Sequence, residues 1–340
     1  MSSSPSLPTT PESKEDADYN KISDEYNHLI ETIPKAYGLR GELLYNYNGF
    51  WLHSMTLKSN FLLQSYFKSQ TTDIFLASVL KSGTTWLKAL MFSTVNRHLY
   101  SFSDHYLLHH GPQSTFPLLD FESYPITDFT QFPAPRLFAT HFPRTLLPPC
   151  MTSCKFVYLC REPKDVLISY WHFMNKLRSK DLPPVSLDDA VDLFCKGIMD
   201  YGPFWEHVQS YWRASLEYPD KILFLKYEEV KKEPEVVVRK LATFMGKPFT
   251  AEEVEKKVVE NIVNLCSFQT LSNLEVNKKG VENFGRVDQA GVENRHFLRN
   301  GEIGDWKNYL SEEMKQRIDG ITHETLKGSG LIFDASDGLY

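Results

Sequence analysis

Lys81-Ser82-Gly83-Thr84-Thr85-Trp86 follows the apolar run Ile74 to Leu80 and opens the amphipathic run Trp86 to Arg97. That order predicts a strand, a tight turn and a helix start. A helix N-terminus carries about half a positive charge, with N–H donors that have no partner inside the helix. A turn there with one glycine, three hydroxyls and a lysine suits a phosphate or a sulfate. The nucleoside-triphosphate version, Gly-x-x-x-x-Gly-Lys-[Ser/Thr], does not fit, because Lys81 precedes Gly83 and no glycine stands upstream at that spacing. Taken alone, the segment also reads as a hydroxyl-rich helix cap with no ligand.

The runs around this turn alternate between strand-like and helix-like. Strands are expected at Ile74–Val79, Leu137–Thr140, Phe156–Cys160 and Ile222–Leu225, and helices from Trp86, from Lys164 through Phe173, and from Pro234 to Met245. Short buried strands separated by helices imply a parallel sheet covered on both faces, with ligands beyond the strand C-termini. Capping-box spacings start two more helices, Ser186 with Asp189 and Thr250 with Glu253. Asn277 to Asn294, polar and glycine-rich, reads as a long surface loop. The stretch Gly49 to Leu52 reads as a packed lead-in to the first strand.

At 340 residues, 42% of them apolar, the chain can bury one large core, and no linker divides it. A net charge of −6 speaks against a nucleic-acid partner, so any anion site is a local basic pocket. Five cysteines without zinc spacing suggest reduced thiols and no metal. Residues 1–25, rich in Ser, Pro, Thr and acids, read as a disordered tail before a domain spanning 26–340. They resemble neither a signal nor a transit peptide. No apolar stretch reaches the roughly 18 residues of a membrane span, so no membrane partner and a cytoplasmic location are expected.

Charge gathers at the strand ends. Arg161 directly follows the run Phe156–Cys160, with Pro163 near a helix start and Ser169 two turns along; an arginine fork there suits a second phosphate, although an ion pair with Glu162 or Asp165 is an equal reading. His141 follows Leu137–Thr140 and precedes Phe142. An imidazole at that edge, with an ordinary pKa of about 6.5, suits proton abstraction near neutrality. Arg299-Asn300-Gly301 through Trp306 joins a cation to glycines that let backbone amides approach an anion.

These segments together resemble the cytosolic sulfotransferases, most closely the plant soluble enzymes, over about Tyr45 to Phe333. Val79 through Trp86 matches the family's 5′-phosphosulfate loop Tyr-Pro-Lys-Ser-Gly-Thr-Thr-Trp. Arg161 and Ser169 match its 3′-phosphate site, Thr140-His141 its catalytic Thr-His step, and Arg299 through Trp306 its Arg-Lys-Gly-x-x-Gly-Asp-Trp segment. The resemblance implies that Trp86, Tyr227 and Phe268 contact adenine and that Ser169 restrains Lys81. Three departures stand out. Val79 and Leu80 replace Tyr and Pro. Asn300 replaces Lys. The animal dimer motif that Lys307 begins is broken by Ser311, Glu312 and Gln316, so a monomer is expected.

The fold class implied is a single α/β domain with a central, mostly parallel sheet flanked by helices and a P-loop-like strand-loop-helix. The activity implied is transfer of a sulfuryl group from 3′-phosphoadenosine 5′-phosphosulfate (PAPS) to a hydroxyl of a small organic acceptor, leaving adenosine 3′,5′-bisphosphate. His141, Lys81 and Ser169 would carry the chemistry. Lys81, Ser82, Gly83, Thr84, Thr85, Trp86, Arg161, Ser169, Tyr227, Phe268, Arg299, Asn300 and Gly301 would hold the nucleotide. Phe50, Trp51, Phe142 and Phe173 are candidates for the wall around a flavonoid, a hydroxylated steroid or an oxylipin, with core packing as the competing explanation of these aromatics. Two other readings stay open at this stage: a P-loop nucleotide kinase, marked by magnesium dependence, and a non-catalytic adenosine-phosphate binder, marked by tight binding without turnover.

Overall fold

The computed structural model describes residues 14–123, 126–283 and 291–333. Its central sheet has four parallel strands, β4 (Ile74–Ser78), β5 (Leu137–Thr140), β6 (Lys155–Cys160) and β7 (Ile222–Lys226), in the order β5-β4-β6-β7. All residues of β4 and β5 are buried. Alternate side chains feed two cores: Phe75, Ala77, Phe156 and Tyr158 face one side, and Leu76, Val157 and Leu159 the other. Helices cover both faces, which is why these strands read as continuous apolar runs rather than alternating ones. Strands β5 and β6 lie on opposite sides of β4, so the chain reverses its direction of winding there, and a crevice opens beyond the end of β4.

Helices begin at Thr84, Pro163 and Pro234, close to the expected places. The Thr250 capping box is complete. At Ser186 the hydroxyl accepts from the Asp189 N–H, as expected of a cap.

Three features differ from the sequence reading. Strands β1 (Lys35–Tyr37), β2 (Leu43–Tyr47) and β3 (Phe50–His53) form a separate antiparallel sheet, with Asn48 and Gly49 at positive φ in the β2–β3 hairpin. The expected tail contains part of a helix, α1 (Lys14–Thr32), pinned where Tyr26 packs edge-on to Phe61 and donates to Ser54 O. Ordered structure therefore begins before residue 25, while residues 1–13 lie outside the described residues. The expected loop from 277 to 294 carries the end of a helix, Glu275–Lys279, and a short antiparallel pair, β8 (Val281–Glu282) with β9 (Val292–Glu293). No helix among the described residues is long and apolar enough to cross a membrane.

Candidate active site

One cavity lies beyond the C-terminal ends of the parallel strands, and its wall includes the turn after β4, His141 after β5, Arg161 after β6 and Tyr227 after β7. The turn after β4 is tightly specified. Lys81 adopts a left-handed φ of 69°, uncommon for a residue with a side chain, and Gly83 has φ 110°. A Cβ on Gly83 would stand 2.7 Å from the Tyr227 ring. No side chain caps the following helix, α2 (Ser54–Tyr66) being the preceding one and α3 (Thr84–Val95) this one, so its first-turn N–H groups stay available. Thr84 Oγ1 meets Ser78 Oγ at 2.7 Å, and Thr85 Oγ1 accepts from Gln113. These bonds orient two of the three hydroxyls that the sequence pattern singles out.

Lys81 Nζ lies 3.9 Å from the centre of the Phe173 ring and donates to His296 O at 3.4 Å. Burial first, and then Arg299 and Arg161, depress its pKa to about 7. An anion bound beside Lys81 would restore its charged form. Ser169 is buried on the cavity wall, but Lys81 rests on Phe173 and His296 rather than on its hydroxyl.

Arg161 stacks 4.4 Å over the Tyr227 ring and donates to Glu302 O at 2.6 Å. Arg299 pairs with Asp305 at 2.6 Å, and the Asn300 side chain bonds the same carboxylate. Gly301, at φ 73°, lies so close to Phe268 that a Cβ would stand 2.6 Å from its ring. Buried donors without a partner here include Ser82 Oγ, Trp86 Nε1, Arg161 Nε and Arg299 Nε, with Arg40 Nε in the polar group of the same cavity. Buried donors are nearly always satisfied, so orphaned ones clustered about a cavity fit a polyanionic ligand with several acceptor oxygens.

His141 is 6% exposed. Its Nδ1 lies 2.7 Å from Ser78 O. A carbonyl oxygen only accepts, so Nδ1 carries the hydrogen, and Nε2 is left with a lone pair. Burial lowers the pKa of the ring, opposed by Asp120, and this favours the neutral base.

Of the expected residues, Lys81, Gly83, Thr84, Thr85, Trp86, His141, Arg161, Ser169, Phe173, Tyr227, Phe268, Arg299, Asn300 and Gly301 line the cavity. Ser82 is buried just behind it. Phe50, Trp51 and Phe142 do not line it, because each has another task. Phe50 packs edge-on to His207, Phe142 packs against Tyr201 within the core, and Trp51 pairs through its backbone with Tyr201 and Gly202. The wall instead includes Thr56, Leu118, Phe121, Met174, Leu177, Tyr201, Val292 and Phe297, with Arg40, Glu42 and His53 as a polar group. Lys88 also lines it, fully buried seven residues beyond Lys81. No local pattern marks these residues, since helices, strands and loops from separate parts of the chain bring them together.

Residues 71–330 match the sulfotransferase domain family. The chain belongs to the sulfotransferase family. It is 41% identical to cytosolic sulfotransferase 15 of Arabidopsis thaliana, over 93% of this chain and 89% of that one. It is 42% identical to the flavonol 3-sulfotransferase of Flaveria bidentis, over 89% and 98%. A crystal structure of an Arabidopsis thaliana protein provisionally assigned as a steroid sulphotransferase superposes with a TM-score of 0.72 at 35% identity, covering 97% of this chain and all of that one. Retinol dehydratase in complex with retinol and adenosine 3′,5′-bisphosphate shares the fold, with a TM-score of 0.68 at 22% identity over 92% and 96% of the two chains. As a sulfotransferase, this protein catalyses group transfer, and the nucleotide-kinase and non-catalytic readings fall away.

Proposed function

We propose that this sulfotransferase takes PAPS as donor and moves its sulfuryl group to a hydroxyl of a small, largely apolar acceptor, with His141 as general base. The observation that carries the reading is the His141 Nδ1 hydrogen bond to Ser78 O, which leaves Nε2 unprotonated on the cavity wall. The bound donor supplies a sulfuryl group attached to a good leaving phosphate. His141 Nε2 takes the acceptor's hydroxyl proton while the acceptor oxygen bonds to sulfur and the sulfur–oxygen bond to the 5′-phosphate breaks. Lys81 and the first-turn amides of α3 neutralise the charge that grows on the departing oxygen, a role that positioning and fixed donors fulfil in the closely related phosphoryl transfers.

Arg161, Arg299, Asn300, Gly301 and Ser169 are assigned to the 3′-phosphate, and Trp86, Tyr227 and Phe268 to adenine. The acceptor then meets Phe173, Phe121, Met174, Leu177 and Phe297, which suit a flat or elongated apolar body such as a flavonoid, a hydroxylated steroid or an oxylipin. The flavonol 3-sulfotransferase among the relatives and the retinol bound by a fold neighbour agree with this class. We place the protein in the cytosol as a monomer acting on small molecules.

An acceptor screen with PAPS, read by the mass gained on each compound, tests the activity. Lys81→Ala and His141→Ala test the roles. Each is expected to cut turnover, by about 10²–10³ for a lost charge-stabilising donor and about 10²–10⁴ for a lost base. Only Lys81→Ala should weaken nucleotide binding. Undiminished turnover in His141→Ala would remove the histidine from the mechanism.

A further inference from the structure

We propose that Asp120 is the positioning partner of His141, and that Asp120 and Lys88, two buried groups of opposite charge, together set the basicity of the imidazole. The inference rests on His141 being the base. Asp120 lies in the segment 117–121, which is laid against β5: Ala139 N donates to Pro117 O at 2.8 Å, and Leu118 bridges to Ala139. Its carboxylate is fully buried and collects three donors. Thr140 Oγ1 donates to Oδ1 at 2.6 Å, and His141 N donates to Oδ2 at 2.8 Å. The Tyr201 hydroxyl also bonds the carboxylate. Thr140 Oγ1 in turn accepts from Phe142 N at 3.0 Å, so one carboxylate fixes three successive residues around the base. Tyr201 holds a left-handed φ of 64° and places its ring centre 5.4 Å from that of His141.

A carboxylate sealed from water without an arginine or lysine bonded to it is costly. Its charge acquires a use when His141 becomes an imidazolium. Nδ1 is already committed to Ser78 O, so Asp120 acts on the ring through the backbone and through space. Lys88 opposes it. Its ammonium, 1% exposed, donates to Gln113 O at 2.8 Å and sits over Phe116; Lys88 lines the same cavity as His141, so its charge opposes protonation of the ring. Lys81 also lowers the basicity of His141. His207, whose Nε2 donates to His141 O at 2.9 Å, stays neutral because burial pushes its pKa down to about 4.

The experiment follows the His141 ring by NMR in histidine-labelled protein across pH, beside the acid limb of kcat/KM. Asp120→Asn keeps the shape and removes the charge, so His141 should titrate lower by about one pH unit, as for loss of a neighbouring opposite charge. Lys88→Met removes the opposing charge, so His141 should titrate higher, and the acid limb should move with the ring in each variant. Opposite shifts are what a merely structural role does not produce. Unmoved titrations, or shifts of the same sign, in folded proteins overturn the inference. Should Asp120→Asn fail to fold, the direction in Lys88→Met decides alone, an upward shift supporting and any other result overturning. A His141→Gln enzyme with full turnover would instead overturn the base assignment, which the titrations do not read.

Discussion

Gly83 and Gly301 are the two positions where the loss of a hydrogen atom's worth of space should be felt most directly at the nucleotide. Both have positive φ, and a Cβ on either would press into an aromatic ring assigned to adenine, Tyr227 in one case and Phe268 in the other. Gly83→Ala should cost about 1–3 kcal/mol of stability from backbone strain. It should also weaken adenosine 3′,5′-bisphosphate binding more than tenfold by displacing Tyr227, which calorimetry and thermal melts on the same sample can check. Affinity at the wild-type level would mean that the ring yields freely and does not seat the base. Arg161 and Arg299 make a parallel case with a different kinetic sign. Each lines the cavity and has a buried, unpartnered Nε. Replacing either by Ala should raise the apparent donor constant much more than it lowers saturated turnover, the pattern of binding energy shared equally by ground and transition states. A fall in kcat as large as the rise in KM would place the arginine on the reacting sulfate. These residues were legible in the sequence because the turn and the strand ends put them in short, contiguous patterns. Asp120, Tyr201 and Lys88 were not, because a buried aspartate in an irregular loop has no periodicity and Lys88 looks like any helical lysine until its burial is known.

The C-terminal segment works as an element rather than as separate contacts. Asp165, on the first turn of the helix Pro163–Leu177, accepts from Gly304 N at 2.8 Å and Trp306 N at 3.2 Å. Tyr227 and Lys231 both donate to Gly301 O, at 3.0 and 2.8 Å, and Arg161 donates to Glu302 O. The segment 299–306 is thereby latched to the ends of β6 and β7. Asp165→Ala should free it, raising the apparent donor constant, and hydrogen exchange of the amides of 301–306 should accelerate. Unchanged exchange would show that the other bonds hold the segment without Asp165. The same scale explains which elements a reader of the chain could find. The strands β4 to β7 are runs of Ile, Phe, Leu and Val ending in charge, and a sheet buried on both faces leaves no other reading of them. The antiparallel sheet β1 to β3 is not legible in the same way, because its strands mix polar and apolar residues and border a tail of low hydrophobicity. Asn48-Gly49, a hairpin signal, was the clue available. Helix α1 was hidden for a related reason: its 19 residues are mostly polar, and a few contacts such as that of Tyr26 are what secure it.

At the scale of the whole molecule, the buried lysines of the cavity weaken the fold that carries them. Lys81 and Lys88 keep their protons in the unfolded chain up to about pH 10.4, whereas burial, the leading cause for both, brings each down to about 7 in the folded protein. Between those values the unfolded chain binds more protons, so the free energy of unfolding rises with pH, by at most about 1.4 kcal/mol per unit for each lysine. Nucleotide binding has the opposite dependence. An anion beside Lys81 favours the charged ammonium, so above pH 7 binding draws in a proton and affinity falls as pH rises. The melting temperature of the free protein should therefore gain from these lysines between pH 7 and 9, while the further rise produced by saturating adenosine 3′,5′-bisphosphate shrinks. Lys81→Met separates the two contributions: it should remove its share of the pH-dependent gain and flatten the pH dependence of binding. Calorimetry at pH 8 in two buffers of different ionisation enthalpy reads the proton directly, with uptake expected in the wild type and less in Lys81→Met. Equal uptake in both proteins would assign the proton to another group, and the link between the cost of burying a cation and the affinity for anions would not run through Lys81.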